Sequence, residues 1–196
     1  MSAGSAGGGF VLGIAGSPRR HGNSEHLLDH LLEGVEENGL RTVKLAVADA
    51  GILPCRGCNA CSTTGECVVR DGMSDVYPLL DTADAIVVAT PVFFATVPAV
   101  LKALYDRCQP YWARTHVLRR PRPALRPGDV LVVRGGGDPY GYECAVTATR
   151  SVFAVLGIDV GEPLAVEGVD SPSDMGRHAD ALERARAVGR ELAARV

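Results

Sequence analysis

The sequence predicts an α/β fold built on a doubly wound parallel sheet. Short runs rich in Val, Ile and Leu recur without strict alternation, which is how strands covered on both faces read. Amphipathic helical patterns fill the gaps between them, giving five βα units in succession. The expected strands are Phe10–Ala15, Thr42–Ala48, Ala85–Thr90, Val130–Val133 and, more weakly, Ile158–Val166.

The first helix follows Ser24, a capping residue, with Leu27, Leu28, Leu31, Leu32 and Val35 on one face and Asn38-Gly39 as its stop. Met73–Thr82 is a short second helix. A third spans Pro98–Tyr111 with Val100, Leu101, Leu104 and Cys108 inward, and a fourth spans Tyr142–Leu156 and ends at Gly157. Asp174–Val196 closes the chain, with Leu182, Ala185, Gly189 and Leu192 as its apolar stripe. The segment Thr115–Gly128 sets Arg119, Arg120, Arg122 and Arg126 among prolines and reads as a solvated surface loop.

With 196 residues, 46% hydrophobic, the chain has the length of one domain and enough apolar material to exclude intrinsic disorder. A net charge of −3, with 20 basic against 23 acidic residues, argues against nucleic acid as a partner. The longest uncharged stretch, Ala85–Leu101, is broken by Pro91 and Pro98, which argues against a membrane-spanning helix. The glycine-rich start lacks the basic and apolar regions of a secretory signal. Residues 1–9 are therefore expected as a flexible tail, residues 10–196 as a single domain, and the cytoplasm as the location. In that compartment six cysteines are not expected to form structural disulfides.

Strand one runs into Gly16-Ser17-Pro18-Arg19-Arg20-His21-Gly22-Asn23-Ser24 before the first helix. Small and hydroxylated residues there can wrap a phosphate with backbone N–H groups, the hydroxyls of Ser17 and Ser24, and the positive end of the helix dipole. The spacing is not Walker A, since Asn23 stands where the lysine belongs, and the dinucleotide Gly-x-Gly-x-x-Gly is absent. A monophosphate held by neutral donors suits the loop, against the plainer reading of an ordinary βα turn. In open α/β sheets the ligand lies beyond the carboxyl ends of the strands. The loops Thr90–Ala95 and Arg134–Tyr140 then meet the same ligand, one offering flat apolar surface and the other glycines. A flat heterocycle with one phosphate is flavin mononucleotide (FMN).

Between strand two and helix two, an insertion at 51–71 carries Cys55-x2-Cys58-x2-Cys61-x5-Cys67. Structural zinc usually takes two separated Cys-x2-Cys knuckles. Three thiols from seven residues suit corners of an iron–sulfur cubane better, as in the bacterial ferredoxin run. Zinc and free or redox-paired thiols stay open as alternatives. Cys108 and Cys144 fall on helical apolar faces and are expected to be buried. His26 and His30 lie four apart on helix one without a third metal ligand and read as a solvated face.

The segments GSPRRHGNS, CRGCNACSTTGECVVRDGM and ATPVFFATVPAVLKALYDR together resemble the iron–sulfur flavoproteins, within the broader NADPH-dependent FMN reductase group. The resemblance covers about Ile14 to Gln109. It implies a flavodoxin-like three-layer fold, a five-stranded parallel sheet of order 2-1-3-4-5 with helices on both faces. It implies FMN, a [4Fe–4S] cluster on Cys55, Cys58, Cys61 and Cys67, and a homodimer or homotetramer with both groups near a subunit interface. Ser17, Arg19, Asn23 and Ser24 would hold the FMN phosphate. Pro91, Val92, Phe93 and Phe94 would line the ring, with Gly135, Gly136 and Gly137 on its other border. Two positions depart from the pattern: Phe93 replaces a common Tyr, and Asp71-Gly72-Met73 replaces Asp-Asp-Met.

The implied activity passes electrons between NAD(P)H, or a redox partner protein, and an acceptor. FMN carries the chemistry, so no side-chain nucleophile or general base is required. The alternative is a cluster-free NAD(P)H-dependent FMN, quinone or azo reductase. From a different class comes a non-enzymatic module with zinc on the cysteines. Asp106-Arg107 is expected either as a structural helix position or as an interface ion pair.

Overall fold

The computed structural model describes residues 9–136 and 139–196, so the expected tail up to residue 8 and Gly137 lie outside the described residues. Its sheet is parallel and runs β2 (Arg41–Ala46), β1 (Phe10–Ala15), β3 (Ala85–Pro91), β4 (Arg126–Val133) and β5 (Ile158–Val160), the order expected. The register pairs Leu12 with Val43 on one side and with Ile86 on the other, and Val88 with Val130. The fifth position differs from one continuous strand. It is two short pieces, β5 and β6 (Leu164–Val166), laid along the start and end of β4. Gly161 and Pro163 lie between them, and Pro163 has no N–H to give the ladder.

Alternate residues of each central strand enter opposite cores. Leu12, Ile14, Ile86, Val88, Val130 and Val132 pack beneath α3 (Met73–Thr82), α4 (Ala99–Asp106), α5 (Gln109–His116) and α6 (Glu143–Leu156). Val11, Ala15, Val87, Ala89, Leu131 and Val133 pack beneath α1 (Asn23–Glu36) and α7 (Ala179–Ala193). Burial on both faces explains why these runs are apolar throughout rather than alternating. The second strand is the exception: β2 is an edge strand, half-exposed along its length, and gives way to a 3-10 turn at Val47–Asp49.

Several boundaries move for local reasons. Gly22, not Ser24, precedes α1, and Ser24 is buried in the first turn. The expected third helix is two helices with Arg107 and Cys108 at the break, because Pro110 cannot continue the hydrogen-bond ladder and instead opens α5. Helix α5 runs on to His116 and β4 begins at Arg126, shortening the expected loop at both ends. Arg126 is no solvated loop residue. Its guanidinium donates to the carbonyls of Leu80, Ala83 and Leu156, satisfying the ends of α3 and α6. The last helix is preceded by a separate 3-10 turn, Asp174–Arg177. Cys108 is buried as expected, whereas Cys144 is exposed near the start of α6. Among the described residues no helix is long and apolar enough to cross a membrane.

Asp129 of β4 faces Arg195, whose Nη2 lies 2.7 Å from Oδ2. Burial outweighs this partner and lifts the carboxyl to about 6. The folded chain therefore holds that proton more tightly than the unfolded one, and this contribution fades as pH rises from about 4 through 6. Asp129→Asn is expected to gain ~1 kcal/mol relative to wild type at about pH 8, and little or nothing at about pH 4. Urea midpoints of both proteins at the two pH values measure the difference.

Candidate functional site

Strand β1 ends where Gly16 N–H donates to Ala89 O at 2.8 Å, leaving the loop Ser17–Gly22 at the carboxyl edge of the sheet. His26 N–H makes the first intrahelical bond, to Gly22 O, so the N–H groups of Asn23, Ser24 and Glu25 head α1 without helical partners. Ser17 Oγ accepts from Arg19 N–H at 3.0 Å, which folds the loop back and keeps the hydroxyl proton available.

The loop path is fixed by Glu25, which the sequence reading did not single out. Its side chain is 1% exposed and accepts from Arg20 Nε and Nη2 and from His21 N–H, with Lys44 Nζ at 3.1 Å. Burial opposes the charge, yet Arg20, His21 N–H and Lys44 prevail and hold the carboxyl down at about 2. The contribution is present above the ordinary glutamate range and is lost only as pH falls toward 2. An acid at this place was legible as a first-turn helix residue, but not as the anchor of the preceding loop.

A cavity of about 190 Å³ opens at this edge. Ser17, Arg19, Asn23, Ser24, Pro91, Val92, Phe93 and Gly135 line it, so three loops expected to share a ligand do converge. Val169, Asp170 and Pro172 line it too, from a loop the sequence reading assigned no role. Gly136 N–H donates to Asp170 Oδ2 at 3.3 Å beside the cavity. Asn23 serves that same loop: its Nδ2 donates to Ser171 O at 2.7 Å and its Oδ1 accepts from Met175 N–H at 3.1 Å. Its side chain thus ties the loop down, and its backbone N–H stands at the helix start without a helical partner.

Phe94 lies apart. Phe93 and Thr96 pair in a tight turn whose middle residues, Phe94 and Ala95, adopt φ of 50° and 64°. Two consecutive left-handed residues make a type I′ turn, a place that favours Asn and Gly and costs other side chains about 1 kcal/mol or more each. The turn leaves the Phe94 side chain 99% exposed, while Phe93 remains at the mouth of the cavity.

The four cysteines line a second cavity, about 380 Å³, with Arg56, Asp106, Arg107 and Trp112 among its walls. Their segment doubles back through left-handed residues Gly57, Asn59 and Gly65, around the single turn α2 (Cys61–Thr64). Gly57 N–H donates to Cys55 Sγ at 3.5 Å. The N–H of Ala60 and the neighbouring Arg56 hold the Cys58 thiol below its ordinary range. Burial, opposed by its own backbone N–H, and the charges of Cys67, Cys55 and Cys58 push the Cys61 thiol above it. Among the described residues no group of three His, Cys, Asp or Glu side chains is gathered to hold a metal ion. The four thiols nevertheless line one hollow, a donor set of the kind that holds zinc or an iron–sulfur group.

Arg107 closes this segment. Nη1 donates to Leu53 O at 2.9 Å and Asp71 Oδ2 at 2.6 Å, and Nη2 to Val69 O at 3.2 Å and Asp71 Oδ1 at 2.9 Å. The pair is 1% and 7% exposed, and the guanidinium holds the Asp71 carboxyl below its usual range. It joins parts of one chain, so Arg107 is a structural helix-end residue in the fold described. Asp71 also accepts from Leu53 N–H and Met73 N–H, capping α3. A side chain at Gly72 would meet Ala50 O at 1.5 Å, which explains glycine in place of a second acid. His26 and His30 are half-buried neighbours, ring centroids 5.2 Å apart, with Glu33 3.7 Å from His30.

Residues 10–167 match the family described as NADPH-dependent FMN reductase. An iron-sulfur flavoprotein of Archaeoglobus fulgidus is 36% identical over 66% of this chain and 56% of its own length, so the match spans little more than half of that relative. One from Methanosarcina thermophila is 39% identical over 76% of this chain and 75% of that one. Among solved structures, an FMN-dependent NADH-azoreductase of Bacillus anthracis in complex with FMN shares the fold. Its TM-score is 0.67 at 18% identity, over 94% of this chain and 99% of that one.

Glu25→Gln is expected to loosen the loop by removing the charge that gathers Arg20, His21 N–H and Lys44. FMN affinity, read by quenching of flavin fluorescence, should fall about tenfold, ~1.4 kcal/mol. An unchanged affinity would separate Glu25 from the ligand site.

Proposed function

We propose that this chain, which belongs to the NADPH-dependent FMN reductase family, is an FMN-dependent oxidoreductase that also carries a [4Fe–4S] cluster on Cys55, Cys58, Cys61 and Cys67. In this reading it passes electrons between NAD(P)H, or a protein donor, and a one-electron acceptor. The observation that carries it is the pair of lined cavities, one headed by the start of α1 and the other walled by four thiols. The printed name of the curated relatives, iron-sulfur flavoprotein, supports the cluster.

FMN, when bound, accepts a hydride as a two-electron unit and can release electrons singly. The chain's own residues bind and orient. Ser17 Oγ–H, the backbone N–H groups of Asn23 and Ser24 and the α1 dipole would hold the phosphate, with Arg19 adding charge at the rim. Pro91, Val92 and Phe93 cover the ring with apolar surface. Gly135 would border the ring on the other side, beside Gly136. Phe94 reaches the ring only from the tip of its turn, or a neighbouring subunit's.

In the second cavity, N–H groups directed at sulfur, such as Gly57 N–H on Cys55, stabilise thiolate ligands and set the potential of what they hold. A homodimer or homotetramer fits the exposed Leu53, Val68, Phe93, Phe94 and Trp112, of which Val68 and Trp112 line the thiol cavity and Phe93 the other, and which would be covered between subunits. The cytoplasm is the compartment that keeps such thiols reduced.

Protein purified without oxygen is expected to contain iron and acid-labile sulfide in equal amounts, besides FMN. Cys58→Ser should lose the iron and keep the flavin bands, with NADPH-driven reduction of a one-electron acceptor falling at least tenfold. Iron-free protein from anaerobic cells, with unchanged turnover in Cys58→Ser, would point instead to the cluster-free reductase.

A further inference from the structure

We propose that Arg107 is the positioning residue of the thiol site, fixing both ends of the cysteine segment and offering its Nε–H to a sulfur there. This rests on the cluster reading for its redox consequence, though not for its geometry.

The carbonyls it grips, Leu53 and Val69, each lie two residues outside the outer cysteines, Cys55 and Cys67. Cys55 to Cys67 is thus a loop whose two ends are bolted to one planar group. One guanidinium thereby sets how far apart the two ends of that loop lie. Lysine, a point donor on a flexible stem, cannot hold two carbonyls and a carboxylate in one plane.

Asp71 supplies the other two contacts and the countercharge, and Tyr77 Oη–H donates to Arg107 O at 2.7 Å, fixing the backbone from which the side chain leaves. Four of the five guanidinium protons are accounted for by these contacts, while Nε is buried with no partner. A buried donor left without an acceptor is costly, so an acceptor is expected near it. Arg107 lines the thiol cavity, and its charge acts on the Cys67 sulfur. The cavity wall carries the four thiols beside Asn59, Asp106 and Gln109, and to the thiols we assign the Nε–H. A hydrogen bond to sulfur favours the reduced, more negative state and raises the reduction potential.

Arg107→Lys keeps the charge and loses the plane and the Nε–H. Asp71→Asn keeps the shape and loses the countercharge. Thermal melting establishes that each variant is folded, and Asp71→Asn serves if the lysine variant is not. After anaerobic reconstitution with iron and sulfide, the cluster potential of Arg107→Lys should fall by about tenfold in the reduction equilibrium, ~59 mV for one electron. FMN content should remain that of wild type. In apoprotein, alkylation of Cys55 and Cys67 by iodoacetamide should quicken about fivefold or more in both variants, with exposed Cys58 unchanged as internal control. Wild-type potential together with wild-type alkylation overturns the proposal. Should wild-type protein itself take up no iron, the cluster reading fails separately, and the apoprotein rates alone decide whether Arg107 positions the thiols.

Discussion

One buried ion pair, Arg107 with Asp71, governs how the cysteine insertion meets the sheet. Moving two charges out of water costs several kcal/mol each, and their attraction returns this only when the remaining hydrogen bonds are made. Here Leu53 O, Val69 O, Leu53 N–H and Met73 N–H make them. A well-packed apolar pair could stabilise the fold as well. What it could not do is bind backbone at two places with fixed geometry. The pair is best understood as a device for specificity of shape: it lets an irregular, polar segment with three left-handed residues take one path.

The cavity at the strand ends depends on a simpler constraint. Because every strand of the sheet is parallel, the loops after β1, β3 and β4 and the loop after β6 end on one edge. The doubly covered strands set that register through burial, and Glu25 then shapes the first loop through charge. The two contributions act at different scales. Apolar packing brings the loops within reach of one ligand, and a single carboxylate decides where the N–H groups of one loop point.

Most of this architecture was legible because it is carried by pattern. Runs such as Ala85–Thr90 are apolar at every position only if both faces are covered, and Leu27, Leu28, Leu31 and Leu32 share a face only in a helix. Pro110 was equally legible as a break, yet the apolar stripe through Cys108 masked it. The fifth strand read weakly because it is two pieces. Residues lining the cavity from loops next to a strand end, such as Ser17, Ser24 and Pro91 to Phe93, could be placed by position. Those that act at a distance in sequence could not: Arg107 lies 36 positions from Asp71, and Asn23 lies 152 from Met175. No periodicity reports a hydrogen bond closed across such a span. Arg126 and Cys144 misled in opposite ways, one a charge that is half-buried and the other a thiol that is exposed.

The two borders of the sheet have a bearing on colloidal behaviour. A long, flat, greasy outer strand is an invitation to ladder with another molecule and seed fibrils. Here one margin is β2, studded with Arg41 and Lys44, and the other is cut into three-residue pieces around a proline. Neither can template an extended intermolecular ladder. Surfaces that remain for self-association are then the ones formed by side chains, where contacts can be selective and finite in number.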